Sequence, residues 1–352
     1  MPEPTRPLRQ LGFLTIGLFD PADPAAGHES TLQIIELGER LGFDSAWLRH
    51  RHLQFGISSP VAVMAAASQR TSRIQLGTAV TPLGWENPLR LAEDLATVDL
   101  LAGGRINPGL SVGEPMHYDT VKHELYPDSS ELEDFSYARV ERFARLVAGE
   151  KVREFSGRQG VTEEFSNRVE PHSAGLRDRL WYGAGSNKSA VWAGANGFNL
   201  LSSSVVFPGT DQDPDFARVQ QSQIRAYREA AAASPQALGP ARVSQGLVVI
   251  PTDSASPGQR EKYRRYVDER TPRTQAPQGP NRMLFAPDII GTSDEIAEQL
   301  YAHAGFQEVD EVAFALPFSF EHEDYVQILT DIAGTLGPAL GWTPAEVADA
   351  PR

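Results

Sequence analysis

Residues 73–113 read RIQLGTAVTPLGWENPLRLAEDLATVDLLAGGRINPGLSVG, and this stretch decides the fold class. An apolar segment, Ile74–Val80, leads into a Pro/Gly turn and an amphipathic segment, and Gly103-Gly104 precedes a second apolar segment, Ile106–Val112. A strand, a helix and a strand in this order form the crossover that joins parallel strands. The stretch therefore predicts a parallel sheet whose functional residues follow the strand ends.

Similar units repeat along the chain. Short apolar segments predict eight strands, at Gly12–Leu18, Asp44–Leu48, Ile74–Ala79, Arg105–Leu110, Leu180–Gly183, Asn199–Ser203, Val243–Ile250 and Glu311–Leu316. Helices are expected at Glu29–Leu41, Pro60–Arg70, Pro88–Leu101, Tyr137–Ala148, Lys188–Ala195, Asp215–Ala233, Thr292–His303 and Asp324–Leu336. Eight alternating strands and helices predict a (β/α)8 TIM barrel of α/β class, a single domain spanning residues 1–352. A doubly wound open sheet is the alternative, but no GxGxxG follows the first strand.

Two long polar stretches interrupt this alternation. Glu114–Ser136 follows the fourth strand and Pro251–Ile290 follows the seventh, so both leave the face where barrels keep their active sites. We interpret them as lids, expect 251–290 to be mobile, and expect 343–352 to be a loose C-terminal tail. The second stretch carries Arg260, Lys262, Arg264, Arg265, Arg270 and Arg273. We interpret these cations as a solvated helix face with pairs such as Glu261 with Arg265, rather than as a substrate contact.

Composition excludes several classes of protein. The 352-residue chain has no cysteine, so disulfides, thiolate catalysis and cysteine metal sites are excluded, and a cytoplasmic location is expected. A formal net charge of −14 at pH 7 argues against nucleic acid and anionic membranes as partners. No apolar run is long enough to span a bilayer, and we expect no secretion signal.

The sequence LRHRH at 48–52 follows the second strand. His50 and His52 are two residues apart, a spacing that at a barrel strand end is compatible with zinc binding. The fifth and sixth strands end in GAGS and LSSS, which supply no further metal ligand, so we predict no metal. A base or a hydrogen-bonding role is the preferred interpretation, and a surface Arg/His cluster is the alternative.

The sequence YGAGSNKSAVWAGANG at 182–197 follows the fifth strand. Gly183 and Gly185 let a ligand approach the backbone closely, and the helix that begins near Asn187 offers free N–H groups to a phosphate. Ser186 and Ser189 could add hydroxyl donors. A glycine-rich turn with a serine cap is the equally open alternative.

Four segments carry a family resemblance: GTAVTP…ENPLRLAEDLATVDLLAGGR, GFDSAWLRHRH at 42–52, GAGSNKSAVWAGANGFNLLSS at 183–203 and IGTSDEIAEQL at 290–300. Together they resemble the bacterial luciferase-like flavin-dependent monooxygenase family. The resemblance covers nearly the whole chain. It implies a barrel that binds reduced FMN, or in some branches a deazaflavin. Arg49 stands where the family usually has an acidic residue, and Arg51 separates the two histidines.

The resemblance also implies residue roles. Ala79 and Val80 match a non-proline cis peptide beneath the flavin ring, Ser111 matches a residue beside its reactive edge, and His50 matches the catalytic histidine, with His52 as its substitute. The implied phosphate and ribityl contacts are Gly185, Ser186 and Ser189, with Gly183 on the same strand and Tyr137 and Arg139 nearby.

The implied activity is oxygenation of a small organic substrate by reduced FMN and O2 through a peroxyflavin. A separate flavin reductase is expected to supply the reduced FMN, and a homodimer is expected. The alternatives are a deazaflavin-dependent hydride-transfer enzyme on the same barrel, a non-catalytic flavin-binding protein and a metal hydrolase.

Overall fold

Eight parallel strands close into a barrel in the computed structural model, which describes residues 6–209 and 214–346. The strands are β1 (Gln10–Thr15), β2 (Ser45–Leu48), β3 (Gln75–Thr78), β4 (Ile106–Asn107, continued by Gly109–Ser111 after Pro108), β5 (Trp181–Ala184), β6 (Asn199–Ser202), β7 (Val243–Gln245) and β8 (Glu311–Ala315). The first half of β4 pairs with β3 and its second half pairs with β5, while β8 pairs with β1. The prediction of a (β/α)8 barrel is confirmed, and the open sheet is wrong.

Helices surround the barrel. They are α1 (Pro24–Arg40), α2 (Pro60–Ser68), α3 (Pro88–Leu101), α4 (Tyr118–Leu125), α5 (Tyr137–Val147), α6 (Asn187–Ala195), α7 (Phe216–Ala232), α8 (Pro257–Arg270), α9 (Ser293–Ala302), α10 (His322–Asp331) and α11 (Gly337–Ala339), with a π-helical turn at Ile332–Leu336. Among the described residues, no helix combines the length and the apolar character that a membrane span needs.

The crossover that the sequence predicts between β3 and β4 forms because its ends are well defined. The Asn87 side chain accepts hydrogen bonds from the first turn of α3, and Gly103 and Gly104 adopt positive φ angles of 64° and 84° after it. The buried carboxylate of Asp99 accepts a hydrogen bond from Ile106 N at 3.0 Å and pairs with Arg179 at 2.7 Å. These contacts fix where β4 begins.

The interior of the barrel is filled by aromatic rings. Trp47 and Trp181 meet edge to face at 5.4 Å, and Leu201 and Ala313 pack with them. Gly77 is required beside Trp47, because a Cβ there would lie 2.5 Å from the indole ring. These side chains pack the interior of the barrel below its C-terminal strand ends.

The predicted seventh strand is the largest error in the strand assignments. Val243–Ile250 is not one strand, because β7 ends at Gln245 and Gly246 N then bonds to Ser202 O at 2.7 Å. Val249–Pro251 instead pairs with Ile289–Gly291 in a separate two-stranded sheet. A continuous apolar run does not distinguish one buried strand from two.

The two long segments contain regular structure. Residues 114–136 include α4, and the Tyr126 hydroxyl donates to Gly84 O at 2.8 Å. Residues 251–290 include α8, whose buried Tyr263 donates to the Gln327 side chain at 2.8 Å. Part of the expected loose tail is bonded to the barrel, since Ala345 N donates to Gly42 O at 3.1 Å. The remaining tail, 347–352, lies outside the described residues, and the mobility of 251–290 stays a prediction.

Candidate active site

A cavity of about 610 Å³ opens at the C-terminal ends of the barrel strands. All eight strands, or the residues that directly follow them, contribute to its wall. The volume lies within the range of sites that enclose a small-molecule ligand. Of the sequence-predicted site residues, it is lined by His50, Ala79, Val80, Ser111, Gly183 and Gly185.

The peptide bond between Ala79 and Val80 is cis, as the resemblance implied. The segment is held from below, because Thr78 Oγ1 donates to Gly109 O at 2.8 Å and accepts from Gly109 N at 3.0 Å. Val80 reaches across to β5, where a Cβ at Gly183 would lie 2.8 Å from its side chain. The absence of a side chain at Gly183 thus leaves room for Val80 in the cavity wall.

His50 is the histidine that faces the cavity, and its side chain is only 2% exposed. Its Nε2 lies 2.9 Å from the carbonyl oxygen of Ser58, which can only accept a hydrogen bond, so the proton of the neutral ring is assigned to Nε2. Nδ1 is buried without a partner among the described residues. Burial, followed by the neighbouring His52, lowers the pKa of His50 to about 3. At neutral pH His50 is therefore an uncharged acceptor.

His52 lies behind His50 rather than on the cavity wall. Its ring stacks on Trp85 with centroids 4.3 Å apart and is 4.5 Å from the His50 ring. Burial lowers its pKa as well. The structure thus separates the two candidates that the sequence could not, and places His50 at the cavity.

Glu86 is a titratable neighbour that sequence reasoning missed. Its Oε1 lies 3.8 Å from His50 Nε2, and burial, followed by Asp94, raises its pKa to about 7. Ligand atoms of Glu86, His50 and His52 lie within 4.8 Å of one another, an arrangement that could hold a metal ion. This cluster gives the metal alternative a geometric basis, although His50 Nε2 already donates to Ser58.

The expected phosphate loop is partly used by the protein itself. Gly185 lines the cavity, but a Cβ there would lie 2.6 Å from the Phe207 ring, and Phe207 N donates to Gly185 O at 2.6 Å. Ser186 and Ser189 form a reciprocal capping box at the start of α6, each hydroxyl accepting from the other backbone N–H. Neither serine contributes to the cavity wall formed by the described residues. Their capping role is therefore the one that the contacts support.

Tyr137 and Arg139 lie in the first turn of α5, and both make contacts within the protein. The Arg139 side chain is 2% exposed and donates to the backbone oxygens of Leu83 (2.9 Å) and Glu86 (2.7 Å), and it pairs with Glu133 at 2.8 Å. Tyr137 stacks on the Trp192 ring at 4.2 Å. Neither lines the described cavity wall, since Arg139 joins the residues before α3 to those before α5 and Tyr137 packs on α6. That they contact a phosphate stays a prediction.

Two serines that the sequence did not single out have hydroxyls on the cavity wall. Ser202 ends β6 and Ser244 lies on β7, and the Oγ of each is buried without a hydrogen-bond partner among the described residues. An unpaired buried hydroxyl is unfavourable unless a ligand satisfies it. A ligand with polar edges, such as a flavin, would give these two hydroxyls the partners that they lack in a cavity of this size.

The prediction that the cations of 251–290 form a solvated helix face is wrong for three of them. Lys262 pairs with Asp324, and Arg270 and Arg273 line the cavity. The suggested pair of Glu261 with Arg265 does not appear among the ion pairs of the described residues. The segment after β7 therefore covers part of the cavity, as a lid would. Residues 114–136, all described, contribute nothing to the cavity wall.

Comparisons with known proteins agree with this geometry. The family model described as luciferase-like monooxygenase matches residues 10–308. The chain belongs to the luciferase-like monooxygenase family. It is 33% identical over 115 residues to an F420-dependent glucose-6-phosphate dehydrogenase of Amycolatopsis mediterranei, covering 31% of this chain and 33% of that one. It is 34% identical over 101 residues to 4-hydroxyprotoasukamycin monooxygenase of Streptomyces nodosus subsp. asukaensis, covering 27% of each. The matches thus span about a third or less of these relatives.

A solved luciferase-like structure has the same fold. The oxygenating constituent of 3,6-diketocamphane monooxygenase from Pseudomonas putida, in complex with FMN, superposes with a TM-score of 0.69 at 15% identity, covering 94% of this chain and 98% of that one. At this identity the likeness establishes the fold. In this fold, six of the eleven site residues predicted from the sequence line the cavity. Those outside it are His52, Tyr137, Arg139, Ser186 and Ser189.

Proposed function

We propose that this protein is a flavin-dependent monooxygenase that uses reduced FMN and O2 to oxygenate a small organic substrate. The observation that carries the proposal is the strand-end cavity of a luciferase-like barrel, with the cis Ala79-Val80 peptide in its wall and the unpaired Ser202 and Ser244 hydroxyls facing it. The FMN complex of a structural neighbour supports the choice of cofactor.

The bound flavin would supply the electrons that activate O2. Ala79, Val80 and the glycines of β5 would support the ring, and Ser202 and Ser244 would hydrogen-bond its polar edge. Arg270, Arg273, Met283 and Phe285 line the cavity from the segment after β7, and with a flavin bound they would help to exclude water, which protects reactive species.

His50 would act as an acceptor in this reaction. Its Nε2 donates to Ser58, so the unpartnered Nδ1 is left to accept a proton or a hydrogen bond from the substrate or the reacting oxygen. This role agrees with the base or hydrogen-bonding role that the sequence analysis prefers for His50. At neutral pH a histidine with a pKa of about 3 is uncharged, and its single ring proton is used in the hydrogen bond to Ser58.

Partners follow from the same proposal. A separate reductase would supply reduced FMN in the cytoplasm. A homodimer is proposed through α2 and α3, where Ala62, Ala66, Leu100 and Leu101 are exposed. Light scattering of the purified protein measures the oligomeric state directly, and a monomeric mass would remove this part of the proposal.

A second candidate is hydride transfer with a deazaflavin, since one relative is named as an F420-dependent dehydrogenase. Titration of the protein with FMN and with F420 separates the two cofactors. A non-catalytic flavin-binding protein remains a third, weaker candidate, and it predicts flavin binding without turnover.

Removing an unpaired hydroxyl tests the cavity assignment. We expect Ser202→Ala and Ser244→Ala each to leave the free energy of unfolding unchanged or to raise it, because neither hydroxyl has a partner in the free protein. We expect each change to weaken flavin binding by about two- to tenfold, because the hydroxyl gains a partner in the complex. Ser173→Ala is the matched control. Its buried hydroxyl donates to Asp99, so this change should lower stability without affecting flavin affinity. Unaltered flavin affinity in both cavity variants would refute the assignment.

A further inference from the structure

Four arginines line the active-site cavity. Arg49 and Arg51 follow β2, Arg270 ends α8, and Arg273 lies in the 3-10 turn Thr271–Thr274. They come from opposite sides, because the first two belong to the barrel and the other two to the segment that covers it. The cavity of a chain with a net charge of −14 is thus rich in positive charge.

Three of these four arginines form no ion pair within the described residues. Arg270 is paired with Asp288. In the residues that the structure describes, Arg49, Arg51 and Arg273 form no ion pair with a carboxylate. Burial, followed by the proximity of Arg51, lowers the pKa of Arg49 to about 10. Like charges held together in a partly buried site are unfavourable unless an anion neutralises them.

The guanidinium groups also have unused hydrogen-bond donors. The Nε atoms of Arg51 and Arg273 are buried and have no acceptor among the described residues. Arginine presents a planar fork of donors that matches the oxygens of a carboxylate, sulfonate or phosphate. The missing acceptors are those that such a group would bring.

Aromatic rings hold the arginines in place and define the rest of the site. Arg49 and Arg270 both stack on the Phe318 ring, at 5.0 and 5.5 Å, and Arg273 stacks on Phe285 at 4.5 Å. Phe318, Phe285 and Met283 also line the cavity, where they offer an apolar surface beside the charges. The site therefore suits a molecule with an anionic group and an apolar body.

We propose that Arg49, Arg51, Arg270 and Arg273 bind the anionic group of the substrate, an organic carboxylate, sulfonate or phosphate ester with an apolar body. The inference rests on the oxidoreductase function proposed above, because only then is the bound anion a substrate. His50 lies between Arg49 and Arg51 in the chain and lines the same cavity, which places the proposed acceptor near the bound molecule. An anion held by both pairs would also tie the covering segment to the barrel.

The cofactor's own phosphate is the competing source of the same chemistry. The experiment therefore uses two pairs of probes that differ only in charge, measured by isothermal calorimetry. Benzenesulfonate is compared with neutral benzenesulfonamide, and reduced FMN with reduced riboflavin under anaerobic conditions. Each is titrated into the wild-type protein, Arg51→Gln, Arg273→Gln and Arg264→Gln. Arg264 is the matched control, because it is an exposed arginine of α8 outside the cavity wall.

The proposal expects wild-type protein to bind benzenesulfonate at least about tenfold more tightly than benzenesulfonamide, and Arg51→Gln and Arg273→Gln to lose about tenfold for the sulfonate alone. Arg264→Gln should behave as wild type, and FMN affinity should stay within about twofold in every variant. Equal binding of sulfonate and sulfonamide by the wild-type protein would overturn the proposal without any variant. So would a loss of FMN but not riboflavin affinity in the cavity variants, which would assign the arginines to the cofactor phosphate. Sulfonate selectivity in a protein that binds neither flavin would support the anion site while refuting the flavin function.

Discussion

Replacing Glu86 by glutamine tests the electrostatics beside His50. Burial and Asp94 raise the pKa of Glu86 from 4.5 to about 7. Between these two values the folded protein keeps a proton that the unfolded chain has released, so stability falls as the pH rises through this interval. At about 1.36 kcal/mol for each pH unit, the ionised carboxylate lowers the free energy of unfolding by about 3 kcal/mol once the pH exceeds about 8. Glutamine has a similar shape and no charge to bury.

Urea denaturation followed by circular dichroism measures this effect at about pH 5 and about pH 8. Glu86→Gln should match the wild type at the lower pH and exceed it by up to about 3 kcal/mol at the higher pH. Glu124→Gln is the control, since Glu124 is an exposed carboxylate of α4 and should give no pH-dependent difference. The reasoning is refuted if Glu86→Gln differs from the wild type by the same amount at both pH values.

Three further changes examine the cavity wall and its support. His50→Ala should lower turnover by about 10²–10⁴-fold in steady-state kinetics, whereas His52→Ala should retain most of it, and equal losses would contradict the placement of His50 at the cavity. Gly185→Ala puts a Cβ 2.6 Å from the Phe207 ring and should raise the flavin dissociation constant in a fluorescence titration. An unchanged dissociation constant would contradict the placement of Gly185 in the wall of the flavin site. Ser186→Ala removes the cap of α6 and should lower the free energy of unfolding by about 1 kcal/mol in urea denaturation, with FMN affinity preserved. A loss of FMN binding without a loss of riboflavin binding would instead assign Ser186 to the phosphate site.

The barrel could be predicted from sequence because its signals are local. The stretch 73–113 contains a buried strand, a capped helix, two glycines and a second strand, and the structure forms each of them in that order. The cis bond at Ala79-Val80 was predicted by family resemblance and is present. Where an apolar run continued past its strand, as at Val243–Ile250, the sequence carried no mark of the end of β7.

The site was harder to predict because burial and partners are tertiary properties. The resemblance implies that Arg139 lies near a phosphate, yet its donors are used by Leu83, Glu86 and Glu133. The opposite error concerns Arg273, which reads as a solvated helix residue and instead lines the cavity with its Nε unpartnered. Nothing in the local sequence of either arginine distinguishes these outcomes, since each is decided by segments distant in the chain.

The measurement that tests the central claim most directly is an anaerobic titration of the protein with reduced FMN, followed through tryptophan fluorescence. Trp47 lines the cavity, so a flavin bound there should quench its emission. The account predicts saturable binding of one flavin per chain, weakened in Ser202→Ala and unaffected in Ser173→Ala. Absence of saturable binding by reduced FMN and by reduced F420 would contradict it and would make the metal content of the His50, His52 and Glu86 cluster the next quantity to measure.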